Sequence, residues 1–239
     1  MRSVGASHIG KVRTENQDKI FFHDQPVGNL KNLYIVAIQV FISSIGSVCS
    51  DSSINSTNLS TAKEEAFPPA RCPPIPSATV NQEIIAESKE NEKYAGMGTT
   101  FVAATVSDHK VTVMNIGDSR LYYGNKELKQ ITVDHSYVEE LINAGMLDRE
   151  QGRIHPKKNV ITRALGSQVA TPDFFEFEAE EGYLLLCSDG LSNMISNDEL
   201  KELLLDHDQI ANKINKMIAR ANEYGGKDNI SLVIVDLKR

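Results

Sequence analysis

The sequence predicts an α+β fold in which β-sheets pack together with helices outside. Three observations carry that reading. Segments rich in β-branched and aromatic residues, bounded by turn formers, recur along the chain. Helical periodicity is also legible. Strands and helices come in blocks and not in strict βαβ alternation. The 239 residues are 41% hydrophobic and 24% charged, an ordinary balance for a globular protein with a sizeable core. That length fits one large domain or two small ones.

In chain order, Met1 to Asp18 is polar and charged, with no apolar run of signal-peptide length. Strands are predicted around Lys19–His23 and Leu33–Ala37. Tyr34 to Ile42 is the most apolar stretch, too short to span a bilayer, which takes about 20 residues. Further strands are predicted at Thr100–Ser107, Lys110–Ile116, Ser119–Tyr123, Phe174–Phe177, Tyr183–Cys187 and Ile230–Leu237. Ser196-Asn-Asp-Glu199 reads as a capping box, with hydroxyl and carboxylate satisfying orphan N–H groups at a helix start. Ile210, Ile214, Met217, Ile218 and Ala221 share one helical face. That helix is expected to stop at Gly225-Gly226, residues suited to a left-handed C-terminal cap.

Residues 38–80 do not fit this pattern. They hold nine Ser and five of the eight Pro, without a sustained period of 2 or 3.6. Alone they read as a long loop or disorder, unusual inside a compact domain.

The net charge of −7 argues against a nucleic-acid scaffold, which needs a cationic face. Cys49, Cys72 and Cys187 are sparse and odd in number, against a disulfide framework or a structural zinc site. The expectation is a reduced, cytoplasmic protein with no nucleic-acid or membrane partner.

Acids at strand ends carry the chemical signal. Asp189 follows the apolar run Tyr183–Cys187, Asp228 precedes Ile230–Leu237, Asp118 lies in a turn between two strands, and Asp18 precedes Lys19–His23. Carboxylates gathered there repel one another in a low dielectric unless hard divalent cations sit between them. An oxygen-only set without a His/Cys cluster suits Mg²⁺ or Mn²⁺. Two such ions about 4 Å apart can acidify a bridging water and clamp a phosphoryl group. Taken singly, each acid is better read as a turn residue, Arg13 as a solvated charge, His135 and His155 as hydrogen-bonding loop residues, and Cys187 as core. The ordered set outweighs those separate readings.

That set resembles the metal-dependent Ser/Thr protein phosphatases of the PPM family in their compact bacterial form. The matching segments are Arg13-Thr-Glu-Asn-Gln-Asp18, Gly96-Met-Gly-Thr-Thr100, Asn115-Ile-Gly-Asp-Ser-Arg120, Asp134-His-Ser136, Asn159-Val-Ile-Thr-Arg-Ala-Leu-Gly166, Cys187-Ser-Asp-Gly-Leu191 and Lys227-Asp-Asn229. The resemblance implies a single domain over residues 1–239, a four-layer αββα sandwich of two antiparallel sheets flanked by helices. It implies that Arg13 grips the substrate phosphate and that Asp18, Asp189 and Asp228 hold a pair of Mn²⁺ or Mg²⁺ ions. Asp118, with Asp189 or its neighbours, would hold a third ion. Asp134–Leu165 would include a flap beside the cleft. A metal-activated water would hydrolyse phosphoserine or phosphothreonine without a phosphoenzyme. The implied partners are phosphoproteins, a bacterial Ser/Thr kinase and its targets, met by a monomer.

One motif is absent. After Val36-Ala37 the family carries Asp-Gly-Met-Gly-Gly-His, whose Asp bridges both metals, whereas this chain reads Ile38-Gln39-Val40. The missing message can be read on the opposite DNA strand. The reverse complement of the codons for Cys72–Ala78, taken one base along, spells Ala-(Asp/Glu)-Gly-(Ile/Met)-Gly-Gly-(His/Gln). Its glycines are forced by the proline codons. Residues 38–80 therefore read as an inverted gene segment, whether by recombination or assembly error. A chain without the bridging carboxylate is expected to be an impaired phosphatase, with an apolar patch uncovered on the sandwich. A pseudophosphatase that binds phosphoproteins or regulators without turnover is the competing reading. A two-metal phosphohydrolase of small molecules is the third.

Overall fold

The computed structural model describes residues 1–25, 32–39 and 77–238. Ten strands among them form two antiparallel five-stranded sheets. The first has the order β1-β10-β9-β6-β7 and the second β2-β3-β4-β5-β8. The strands are β1 Arg2–His8, β2 Lys19–His23, β3 Leu33–Gln39, β4 Thr99–Ser107 and β5 Lys110–Ile116. They continue with β6 Arg120–Gly124, β7 Leu128–Gln130, β8 Asp173–Glu178, β9 Tyr183–Cys187 and β10 Ile230–Asp236. Helices are α1 Ser77–Glu90, α2 Tyr137–Asn143, α3 Arg149–Ile154, the single turn α4 Asp189–Ser192, α5 Asn197–Leu205 and α6 Ile210–Glu223. The α+β class and the pair of antiparallel sheets are those the sequence predicts.

Strand periodicity builds the layers. Leu184 and Leu186 of β9 and Val233 and Val235 of β10 point between the sheets. There they meet Val102, Ala104 and Val106 of β4 and Val111 and Val113 of β5. The alternate residues Leu185, Cys187, Leu232 and Ile234 point outward and bury the apolar stripe of α6, Ile210, Ile214, Met217 and Ala221. Burial on both faces explains why β9 and β10 read as unbroken apolar runs. Lys213 lies on the same face of α6, fully buried. Its Nζ donates to the Leu204 carbonyl at 2.6 Å and sits 3.9 Å from the centre of the Tyr183 ring.

The end of α6 follows expectation. Tyr224 caps it, Gly225 and Gly226 take φ of 122° and 51°, and the Gly226 N–H bonds the Ala221 carbonyl at 3.0 Å. At Ser196 only half of the expected capping box forms. The Ser196 hydroxyl accepts from the Glu199 N–H at 3.3 Å. The Glu199 carboxylate turns away to Arg220 at 3.0 Å and to the Tyr224 hydroxyl at 3.1 Å. A capping box that closes in both directions is found at Asp148 and Gln151.

The atypical stretch is narrower than its sequence texture. β3 continues through Ile38 and Gln39, paired with Thr100 and Thr99, and α1 begins at Ser77. Tertiary pairing and helix propagation extend regular structure into both ends. The remainder, 40–76, lies outside the described residues, as does the reading of it as an inverted segment. The outer face of the second sheet, where an uncovered apolar patch is expected, is only partly closed: Phe174, which pairs with Met114, is 40% exposed. Leu33, Ile35, Ala103 and Met114 are buried there, with Phe21, Ala37 and Phe101 packed against them.

Candidate active site

The carboxylates singled out in the sequence lie at chain ends of neighbouring strands. β9 and β10 pair directly, so Asp189, which opens α4 after β9, faces the loop that carries Asp228 into β10. The contact is close. A Cβ on Gly190 would stand 1.9 Å from the Asn229 carbonyl oxygen, so only glycine lets the two chains meet. β6 pairs with β9 on its other side, with Arg120 opposite Cys187, which brings the Asp118 turn beside Asp189.

Asn229 fixes the fourth acid. Its side chain donates to the Ile9 and Glu15 carbonyls, both at 2.9 Å, and accepts from the Gln17 N–H at 2.9 Å. The N-terminal loop is thereby fastened to the start of β10, which places Arg13 and Asp18 at the same end of the sandwich. Arg13 closes on Asp228, Nε to Oδ1 and Nη2 to Oδ2. Ser188 and Ser231 form a buried pair between β9 and β10, the Ser231 N–H donating to the Ser188 hydroxyl at 2.9 Å. Both hydroxyls hold down the pKa of Asp18 by hydrogen bonding.

The electrostatics record the convergence. Asp18 is buried, and its Oδ2 has no hydrogen-bond partner among the described residues. Burial pushes its pKa up to about 7, and the charges of Asp189 and Asp228 add to the rise. Asp189 is pushed up to about 6, first by burial and then by Asp228, while Arg120 and Arg13 oppose the shift. Burial, Asp189 and Asp134 hold Asp118 well above the usual carboxylate range, partly offset by Arg120. Asn193 steadies Asp189 with a 3.1 Å bond to Oδ2.

Asp18, Asp189 and Asp228 therefore feel one another, and Asp118 feels Asp189. Among the described residues, however, no three or more His, Cys, Asp or Glu side chains are gathered closely enough to hold a metal ion by themselves. Both oxygens of Asp228 are taken by Arg13. The donor chemistry nonetheless suits a hard cation. It is oxygen-only, with an orphaned buried carboxylate oxygen and mutual repulsion that positive charge would relieve.

Three elements beside the site were not legible in the sequence. The Asn229 fastener has only its adjacency to Asp228 as a signal. Arg120 donates to Asp134 from Nε and Nη2 at 2.9 and 2.7 Å and to the Tyr122 hydroxyl at 3.1 Å, forming a buried pair next to Asp118. His135 accepts from the Gly117 N–H on Nδ1 at 3.1 Å, so its Nε2 donates to Asp173 at 3.0 Å. A loop or hydrogen-bonding role for His135 is the expectation from sequence, and these partners are not. Cys187 is core, as expected, its thiol pushed up to about 12 by burial. Residues 134–165 form an arm on a narrow neck, closed by Tyr137 N–H to Val160 and Thr162 N–H to His135, both at 2.9 Å. The arm carries α2 and α3.

Comparison with known proteins bears on this geometry. The sequence profile of the protein phosphatase 2C family matches residues 2–230. The serine/threonine phosphatase stp of Listeria monocytogenes is 41% identical over 160 residues, 66% of this chain. The chain spans 64% of the length of that relative. Protein phosphatase PhpP of Streptococcus pneumoniae is 33% identical over 241 residues, covering 96% of this chain and 94% of PhpP. The catalytic domain of the phosphatase PstP, solved with two manganese ions, superposes with a TM-score of 0.80 at 28% identity, covering 100% of this chain and 98% of that one.

Proposed function

Because the chain belongs to the protein phosphatase 2C family, we propose that it hydrolyses phosphoserine and phosphothreonine in proteins with a pair of Mn²⁺ or Mg²⁺ ions. The observation that carries this reading is the buried Asp18, with its unpartnered Oδ2, raised to about 7 by burial and by Asp189 and Asp228. The manganese-bound relative supports the choice of metal. Asp18, Asp189 and Asp228 would hold the pair, and Asp118 with Asp189 a third ion. When bound, such ions supply Lewis acidity at phosphorus and acidify water.

The chain's own residues do the rest. Arg13 holds Asp228 with Nε and Nη2, which leaves Nη1 to donate to a phosphate oxygen and to meet charge that builds there in the transition state. Asn193 orients Asp189, and Ser188 and Ser231 orient Asp18. Asn229 holds the Arg13 loop against β10. With Ile38-Gln39 in place of the family's bridging acid, turnover falls below that of relatives that keep it. On this reading the partners are phosphoproteins, including a bacterial Ser/Thr kinase and its targets, and the chain acts in the cytoplasm as a monomer. Among the described residues no helix is long and apolar enough to cross a membrane.

Manganese-dependent release of phosphate from phosphothreonine peptides and p-nitrophenyl phosphate, abolished by EDTA, is the expected result. Calorimetry that finds phosphopeptide binding without phosphate release would instead make the chain a pseudophosphatase. Absence of both release and binding overturns the reading.

A further inference from the structure

A cavity of about 180 Å³ lies between the 134–165 arm and the sheet end, on a wall that includes Asp118 and Asp189. Arg13, Asp18 and Asp228 are not part of its lining, so it extends the cleft away from the Arg13 side. Apart from the two wall carboxylates, its charges sort into two kinds. Two pairs cancel internally, Arg120 with Asp134 and Arg149 with Glu139, the latter bidentate at 2.6 and 2.9 Å. Arg153 and Lys158, on the arm, make no ion pair among the described residues. Ser192 also lines it and is buried, and its hydroxyl has no hydrogen-bond partner among the described residues. The cavity thus joins unmatched cations to the carboxylates proposed to hold metal.

We infer that this cavity is a specificity subsite that takes an anionic side chain flanking the phosphorylated residue of a protein substrate. The inference rests on the phosphatase reading and deepens it. A substrate whose phosphate lies at the carboxylate wall presents its neighbouring residues to the arm. A carboxylate or a second phosphate there meets Arg153 and Lys158. A neutral neighbour leaves both cations unpaired. An exposed ion pair changes affinity up to about fivefold, so two give a preference of about tenfold, fading as salt rises.

The test is fluorescence anisotropy with labelled phosphothreonine peptides and manganese, read as the ratio of dissociation constants. One peptide carries glutamine at the flanking positions, a second glutamate, and a third one flanking phosphoserine. The parent chain is expected to prefer both anionic peptides about tenfold. The variant carrying Arg153→Ala and Lys158→Ala brings the ratio close to one. Charge reversal with Arg153→Glu and Lys158→Glu inverts it. Glutamate and phosphoserine ranked together support a general anion subsite, and a gain for phosphoserine alone narrows it to a second phosphate. Equal binding of all three peptides by the parent, or a preference that survives both variants, overturns the inference alone. Absence of peptide binding together with absence of p-nitrophenyl phosphate turnover removes the phosphatase reading, and the subsite with it.

Discussion

Arg13 and Asp228, 215 positions apart in sequence, meet through two parallel hydrogen bonds of 2.8 Å. The pair is half exposed on the arginine side, 54%, and its worth to folding is small, about 0–1 kcal/mol. On the proposed reading its value lies in the site, where one guanidinium would face an acid and keep a donor for phosphate. Arg13→Ala is expected to shift the thermal midpoint by no more than about 2 °C while lowering kcat/KM by at least about tenfold. Thermal unfolding and steady-state kinetics on p-nitrophenyl phosphate check the two halves separately.

The buried acids make the metal-free chain sensitive to pH in a defined direction. The Asp18 pKa rises from an ordinary 3.8 to about 7 in the fold, and that of Asp189 to about 6. Between those limits the folded chain binds more protons than the unfolded one, so stability falls as pH rises from about 4 to about 7 and levels off above. Urea unfolding with EDTA is expected to give a lower midpoint at pH 7.5 than at pH 5. Asp18→Asn removes the larger share of that slope.

Metal uptake runs the opposite way. A cation at these carboxylates displaces the protons that burial holds on them. Apparent Mn²⁺ affinity is therefore expected to rise as pH increases through the range 6–7, with proton release. Calorimetric titration in two buffers of different ionisation enthalpy measures both. Asp18→Asn is expected to lower the affinity at least about tenfold and to flatten its pH dependence.

Asn229 makes three hydrogen bonds that join the N-terminal loop to β10 from a buried position. Asn229→Ala strands the Ile9 and Glu15 carbonyls and the Gln17 N–H. The expected loss is about 2–4 kcal/mol, less than the sum of separate penalties because water can reach part of the loop. Urea denaturation reads it directly.

The gene supplies a test that needs no protein. DNA across codons 30–90 is expected to encode Asp-Gly-Met-Gly-Gly-His on the strand opposite Cys72–Ala78. Sequencing intact genomic DNA distinguishes a true inversion from an assembly error. An unrelated opposite strand removes the idea.

The legible parts of the fold are those where local pattern and tertiary environment agree. β9 and β10 read as strands because both their faces are buried, and α6 showed its stripe and its glycine stop. β1 is not legible because Arg2–His8 is made of small and polar residues, and its pairing with β10 along its whole length supplies what propensity lacks. β7 and the short helices α2 and α3 fall below the length at which periodicity speaks. Among the site residues, the acids could be found because each sits at the edge of an apolar strand. The Arg13–Asp228 pairing and the Asn229 fastener were hidden because their partners come from opposite ends of the chain.

The position of Lys213 has a practical consequence. Its ammonium is sealed between the end of α5 and the Tyr183 ring. Acylating reagents pass it over in the native state and reach it only while α6 is lifted off its bed. The rate at which that one amine acquires a tag is a stopwatch on the opening of the helical layer, built into the chain without a dye or a label.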